Sequence, residues 1–137
     1  MDIEELVDNI TFLEDWTDRY RYLIELGRSL PPMEEAHRVQ ENKVRGCMSQ
    51  VWLVARKNAE GALCFEADSD AHIVRGLVYI LLSLYSGKQA AEILAIDPKG
   101  TMARIGLDQH LSVGRSNGLY SMVARIKKLA SLEITVS

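Results

Sequence analysis

The hydrophobic pattern of the first part of the chain predicts one amphipathic helix. Apolar side chains recur there at helical spacing on one face, at Leu13, Trp16, Tyr20, Leu23, Ile24 and Gly27. Thr11 followed by Glu14 has the spacing of a capping box, which satisfies free amide groups where a helix begins. Pro31 ends the segment, because proline lacks a donor and restricts the residue before it. A further short helix is possible around residues 33–37.

The hydrophobic period changes to two at residue 49, and this change predicts an antiparallel hairpin. Apolar and polar residues alternate over 51–56 and again over 63–68. Asn58–Gly61 between them has the composition of a turn, in which Gly61 is free to take a positive φ. We therefore expect two strands joined by a tight turn.

The segment after the hairpin is apolar around nearly its whole circumference, over residues 73–84. Such a pattern predicts a central, buried helix. Ser69 and Asp70 have the residue types of its start, and Gly87 fits its C-terminal cap. The acidic segment 68–70 also suits the positive end of a helix dipole.

Three further helices are predicted downstream. A short helix covers residues 88–95, and another begins at Asp97-Pro98 and ends at Gly106. The last begins within residues 112–116 and shows one apolar face. One small sheet followed by a run of helices favours an α+β fold in a single domain, residues 1–137.

Charge and composition narrow the function classes. The chain has 137 residues, with 16 Lys and Arg against 19 Asp and Glu, a net charge of −3. Nucleic-acid binding needs clustered cations, so no nucleic-acid partner is expected. The acidic N-terminus is unlike a secretory leader, and the longest apolar run, 77–82, is far shorter than the ~20 residues of a spanning helix. A cytoplasmic protein without a membrane partner is predicted.

Cys47 is the residue with the most conspicuous surroundings. It follows Gly46 in a loop before the first strand, with Lys43 and Arg45 nearby in sequence. Cations near a thiol favour the thiolate, which is the nucleophile. Ser49 and Gln50 add hydrogen-bonding groups. An inert, half-buried cysteine is the equally open alternative.

The remaining candidate groups carry weaker signals. Cys64 lies in the middle of a strand and favours an incidental thiol. The three histidines show no ligand spacing, so no metal site is expected, although a Cys–His pair with Cys47 stays open. Arg115 lies at a glycine-rich helix start, where it is either a solvated side chain or a group that supports a nearby sulfur anion.

Three motifs resemble the SufE family when taken together. They are Gly46-Cys47-Met48-Ser49-Gln50-Val51-Trp52, Asp68-Ser69-Asp70-Ala71 and Arg115-Ser116-Asn117-Gly118-Leu119. The first is specific, and the resemblance extends over about 12–130. It implies a fold like that of IscU-type scaffolds, with an antiparallel sheet of about three strands packed against several helices. The cluster-ligand cysteines of IscU are absent, so scaffold activity is not implied.

The resemblance also implies a role for Cys47 as the persulfide-carrying cysteine. Its partner would be a SufS-like, PLP-dependent cysteine desulfurase, and a SufBCD-like iron–sulfur scaffold would receive the sulfur. The PLP belongs to the desulfurase, so no cofactor of this chain is expected. Supporting or docking roles fall to Arg45, Gly46, Ser49, Gln50, Asp70 and Arg115, and the chain is expected to be a monomer or weak homodimer.

Three alternatives stay open beside this interpretation. They are a CsdE-type acceptor for a related desulfurase, a thiol redox or Cys–His enzyme, and an adaptor that activates a partner by contact alone. For an acceptor, we expect the loop to shelter Cys47 at rest and to expose it on docking, because a persulfide open to water and oxidant would be lost.

Overall fold

Helices surround one small sheet in this α+β fold. The computed structural model describes the main chain of residues 2–136 and the side chains of residues 2–133. Within them lie seven α-helices: α1 (Ile3–Phe12), α2 (Trp16–Arg28), α3 (His72–Tyr85), α4 (Ala90–Ala95), α5 (Pro98–Ile105), α6 (Leu107–His110) and α7 (Val113–Val136). The strands are β1 (Val51–Lys57) and β2 (Leu63–Ser69), and short 3-10 helices cover Glu35–His37 and Gln40–Asn42. No helix of the described part is long and apolar enough to cross a membrane.

The N-terminal region contains two helices where the pattern predicted one. Thr11 lies in the last turn of α1, and its hydroxyl donates to the carbonyl of Val7 at 2.8 Å. The chain leaves helical geometry at Leu13, and Asp15 caps α2 by accepting the Thr17 amide at 2.8 Å. The predicted capping box at Thr11 is therefore wrong, because a nearer acidic cap fits the start of α2.

The predicted hairpin is confirmed. β1 and β2 pair antiparallel from Val51 opposite Ser69 to Lys57 opposite Leu63. The Asn58 side chain accepts the Ala62 amide at 3.0 Å in the turn, where Gly61 has a φ of +81°.

The sheet has two strands, not the expected three or so. Lys43 forms a single bridge with Trp52 at one edge, and Lys88 forms a single bridge with Leu63 at the other. The segment at Lys43 does not continue as a strand, because Gly46 turns the chain with a φ of +91°.

α3 is the central helix, as its all-round apolar pattern predicted. Nine of its residues are buried, among them Ile80 and Leu81. A Cβ at Gly76 would lie 2.2 Å from the carbonyl oxygen of Leu23, so α2 and α3 cross with their main chains in contact. α3 begins at His72 rather than at residues 69–70, because Ser69 still belongs to β2.

The C-terminal helices include α7, which packs against the loop that carries Cys47. This loop, between Lys43 and β1, is called the Cys47 loop. Asp97 accepts the Lys99 amide at 2.9 Å and Gly106 closes α5 with a φ of +88°, so both predicted ends are confirmed. α6 has no counterpart in the sequence prediction. α7 turns one face into the core, with buried side chains at Leu119, Met122, Val123, Ile126 and Ala130. Its first three turns lie beside the loop that carries Cys47.

Candidate functional site

Cys47 is half-buried. It packs against the N-terminal part of α7. Its thiol donates to the main-chain carbonyl of Gly118 at an Sγ–O distance of 3.6 Å. A Cβ at Gly118 would be only 3.5 Å from the same sulfur. A small residue at this helical position therefore allows the sulfur to lie against the main chain of α7.

Three residues of the Cys47 loop contact three small residues of α7. A Cβ at Gly46 would lie 2.5 Å from Ser121 Oγ, and a Cβ at Gly114 would lie 2.1 Å from Met48 Sδ. Positions 114, 118 and 121 share one helix face, because residues four and seven apart lie above one another. We call this face the glycine face of α7. The loop packs against this face through these contacts. The Met48 side chain is nevertheless 88% exposed.

A small cavity lies between the loop, α3 and α7. Its volume is about 30 Å³, whereas a single water needs roughly 10–15 Å³ on the same measure. It is lined by Cys47, Met48, Ser49, Val51, Val74, Leu77, Gly114, Arg115, Gly118, Leu119 and Met122. The thiol thus faces an apolar space large enough for one more heavy atom.

Burial raises the pKa of the Cys47 thiol above its ordinary value. Removing the sulfur from water penalises the charged thiolate. The expectation that Lys43 and Arg45 favour the thiolate is wrong for this conformation. Within the described residues, desolvation is the only cause of the shift, and neither cation contributes to it. Arg45 lines a separate groove with Ser121 and Arg125. Closeness in sequence does not bring either cation to the thiol.

Arg115 lies at the rim of the cavity and is held there by α2. Its guanidinium donates to the Tyr20 hydroxyl and lies 5.7 Å from the centroid of the Tyr20 ring. The side chain is exposed. Arg115 therefore lines the cavity, and its role in supporting a sulfur anion stays a prediction.

Asp70 holds the end of the Cys47 loop that leads into β1. Its carboxylate accepts the Gln50 amide at 3.0 Å, and its own amide donates to the Gln50 carbonyl at 3.2 Å. Asp70 and Gln50 are exposed, whereas Ser49 is half-buried and lines the cavity. The structure therefore gathers Gly46, Cys47 and Ser49 with Arg115 at one site, and Asp70 and Gln50 form its anchor.

A comparison with protein families shows which family this chain belongs to. A family model described as "SufE: Fe-S metabolism associated domain" matches residues 4–130, which include the whole loop and the glycine face. The chain belongs to the SufE family. The predicted resemblance is confirmed, and membership supports a sulfur-acceptor role in iron–sulfur metabolism.

Two relatives in the SufE family are similar over nearly their full length. An uncharacterized SufE-like protein of Rhizobium meliloti (strain 1021) is 53% identical over 131 residues, covering 93% of this chain and 94% of the relative. An uncharacterized SufE-like protein of Rhizobium etli is 53% identical over 133 residues, covering 95% and 90%.

A solved structure shares the fold. The solution structure of a hypothetical protein from Thermus thermophilus matches with a TM-score of 0.76 and covers 97% of this chain and 96% of that one. Its sequence identity is 18%, so the likeness concerns the fold alone.

Asp68 has a structural role that the sequence did not reveal. It is 1% exposed, and its carboxylate contacts Arg38 at 2.6 Å and Arg75 at 3.1 Å. Arg38 also lies over the Trp52 ring at 5.6 Å. The interpretation of Asp68 as part of an acidic helix start is wrong, because β2 carries it into a buried ion cluster. This cluster ties the segment before the loop to the sheet.

The other candidate groups lie away from the thiol. Cys64 is half-buried on β2 and pairs with Arg56 across the hairpin. His37 lies 3.5 Å from Glu66 and His110 stacks on Trp16, so neither lines the cavity of Cys47. Within the described residues, no group of three or more His, Cys, Asp and Glu side chains could hold a metal ion.

Proposed function

We propose that this protein accepts sulfane sulfur from a SufS-like cysteine desulfurase as a persulfide on Cys47. It then passes the sulfur to a SufBCD-like iron–sulfur scaffold. The observation that carries the proposal is the position of the thiol, half-buried on the glycine face beside an apolar cavity and yet on a surface loop. Membership of the SufE family supports a role in iron–sulfur metabolism.

The transfer is a thiol exchange in which one S–S bond replaces another. The Cys47 thiolate attacks the terminal sulfur of the desulfurase persulfide. A new S–S bond forms on Cys47, the S–S bond of the desulfurase breaks, and the desulfurase cysteine leaves as a thiolate with the electron pair. The rate depends on the thiolate fraction of the attacking group, on its nucleophilicity and on its access.

The cavity supports the storage step. A persulfide adds one sulfur atom to the cysteine, and the 30 Å³ beside the thiol can receive it. Apolar walls from Val74, Leu77 and Met122 limit the access of water and small oxidants to that sulfur. The loop thus serves as a sheltered resting position for the loaded cysteine.

The loop must also open, and its attachments allow this. It is held by van der Waals contacts with α7, by one thiol hydrogen bond and by the exposed Asp70–Gln50 pair. The raised pKa of Cys47 keeps the resting thiol protonated at neutral pH. Docking of the desulfurase would relieve this burial, so the nucleophile forms where the donor is present.

The experiment is intact-mass analysis after incubation with a desulfurase and L-cysteine. Wild type is expected to gain the mass of one or more sulfur atoms on Cys47. Cys47→Ser should gain none, whereas the matched variant Cys64→Ser should load like wild type, because Cys64 lies on the hairpin away from the cavity. Parallel incubations with a SufS-like enzyme and with the related desulfurase that CsdE-type acceptors serve identify the preferred donor by the faster loading.

Other results would contradict the proposal in distinct ways. Equal losses in both cysteine variants would remove the special role of Cys47. Stimulation of the desulfurase that survives Cys47→Ser would indicate a contact-only adaptor. Turnover of a peroxide or an ester by the isolated protein would indicate a thiol enzyme, although no histidine lines the cavity as a base for one.

A further inference from the structure

A second groove adjoins the Cys47 loop on the side away from the cavity. It lies between the loop and the outer side of α7, and its volume is about 210 Å³. It is lined by Val44, Arg45, Ser121, Ala124, Arg125 and Lys128. We call it the basic groove, because three of its six lining residues are cations.

The cations of the basic groove are not neutralised within the described residues. Arg125 donates to the main-chain carbonyl of Glu41 at 3.2 Å, and no carboxylate there forms an ion pair with Arg45, Arg125 or Lys128. Arg45 and Lys128 are exposed. The groove is therefore locally positive, whereas the whole chain has a net charge of −3.

The basic groove is physically continuous with the sulfur site. Ser121 forms part of its wall, and the same Ser121 hydroxyl lies against Gly46, the residue before Cys47. Any segment seated in the groove therefore lies next to Arg45 and Ser121, which adjoin the residue on which the loop turns. A partner that reaches Cys47 from this side meets the three cations first.

We propose that the basic groove binds an acidic segment of the cysteine desulfurase during sulfur transfer. The inference rests on the proposed function, since it assumes that a desulfurase visits Cys47. Guanidinium groups bind carboxylates through two parallel hydrogen bonds, which suits Arg45 and Arg125 to Asp and Glu side chains. Complementary charge at an interface mainly raises the association rate and fixes register. The groove thus orients the donor so that its persulfide meets the Cys47 loop.

The test measures binding separately from sulfur transfer. The full chain carrying Cys47→Ser, which cannot be loaded, is titrated with the desulfurase in a calorimeter at low and high salt. Adding Lys128→Glu or Arg45→Glu should weaken binding about 5- to 10-fold at low salt, and the difference should shrink at high salt, where the charges are screened. The matched control Lys99→Glu makes the same charge change on α5, outside the groove, and should bind as the parent does.

The failures of the two proposals are distinguishable. If both groove variants bind like the parent while wild type is still loaded on Cys47, the groove proposal is overturned and the proposed function stands. If wild type neither binds the desulfurase nor gains sulfur, both are overturned. The parent protein and the two groove variants are also tested with a labelled RNA oligonucleotide. If the parent binds the RNA, and the groove variants lose this binding but still bind the desulfurase like the parent, the groove proposal is overturned in favour of a nucleic-acid site.

Discussion

The thiol of Cys47 rests on the main chain of Gly118. The sulfur donates to the Gly118 carbonyl at 3.6 Å, and a Cβ at 118 would come within 3.5 Å of it. That separation is ordinary van der Waals contact, so a methyl group fits but a larger side chain does not. The size of one helical residue therefore sets how deeply the reactive sulfur lies.

Gly118→Val is expected to lift the Cys47 loop off α7. Its extra carbon atoms overlap the thiol, and overpacking of this kind costs roughly 1–3 kcal/mol. Cys47 should then react with a bulky alkylating agent about ten times faster, which corresponds to ~1.4 kcal/mol of lost protection. The rate is measured in a Cys64→Ser background.

Gly118→Ala is the matched control for this prediction. Its methyl group meets the sulfur at contact distance, and alanine stabilises a helix interior relative to glycine by up to about 1 kcal/mol. The alkylation rate should stay near that of the parent, and unfolding by urea should need slightly more denaturant. Equal alkylation rates for the alanine and valine variants would contradict the idea that a small residue at position 118 lets the thiol pack against α7.

Asp70→Ala is expected to free the end of the loop after Cys47. The substitution removes the carboxylate that accepts the Gln50 amide at 3.0 Å. A hydrogen bond at an exposed site contributes about 1 kcal/mol, so Cys47 should be alkylated about fivefold faster. Asp70→Asn keeps an acceptor oxygen and should lie between wild type and the alanine variant. Equal effects of asparagine and alanine would show that the charge, which both substitutions remove, matters and the acceptor oxygen does not.

The alkylation rate of Cys47 should rise with pH along a curve displaced to high pH. Burial raises the pKa of this thiol, so the midpoint of its ionisation lies above the ~8.5 of a free cysteine. Variants that lift the loop should bring the midpoint back toward that value. A midpoint below that of a free cysteine would show that a cation reaches the sulfur after all.

The stability of the fold should fall in alkaline solution because of Tyr85. Its hydroxyl donates to the Ile96 carbonyl at 3.2 Å, and burial, with a smaller contribution from Asp97, raises its pKa to about 12. An unfolded tyrosine ionises at a pH of about 10. Between these values the unfolded chain has lost a proton that the native protein still holds, so the free energy of unfolding decreases as pH rises.

Tyr85→Phe tests this relationship. The variant should lose about 1 kcal/mol at neutral pH, because the Ile96 carbonyl loses its donor. Its stability should then depend less on pH than that of wild type when urea unfolding is followed from about pH 8 to 11. Tyr79→Phe, on the same helix, serves as the control and should keep the wild-type slope. Parallel slopes for wild type and Tyr85→Phe would contradict the assignment.

Local sequence rules account for the parts of the fold that were predicted correctly. The hairpin follows from a two-residue period and the turn at Asn58–Gly61, and the ends of α5 follow from Asp97 and Gly106. The buried helix α3 follows from its all-round apolar pattern. The same rules missed α1, whose apolar residues cover a narrow stripe, and misplaced a cap at Thr11.

The candidate site was predicted only in part. The motif around Cys47 singled out this cysteine as the candidate reactive residue and indicated the family from the sequence alone, because these residues are adjacent in the chain. The roles of Gly114 and Gly118 were not predicted, although their spacing of four with Ser121 close behind is the signal of a helix face that a loop can approach.

Only the tertiary structure decided the chemistry of the thiol and the surroundings of Asp68. The pKa of Cys47 depends on desolvation by residues of α3 and α7, about 70 positions away in the case of Gly118. Asp68 is enclosed by Arg38 from an upstream segment and Arg75 from the next helix. Hydrophobic period and turn chemistry act between near neighbours, so the sequence determined most of the elements and singled out the candidate cysteine. Burial and charge act through space, so only the packed fold determined the protonation of the sulfur and the basic groove beside it.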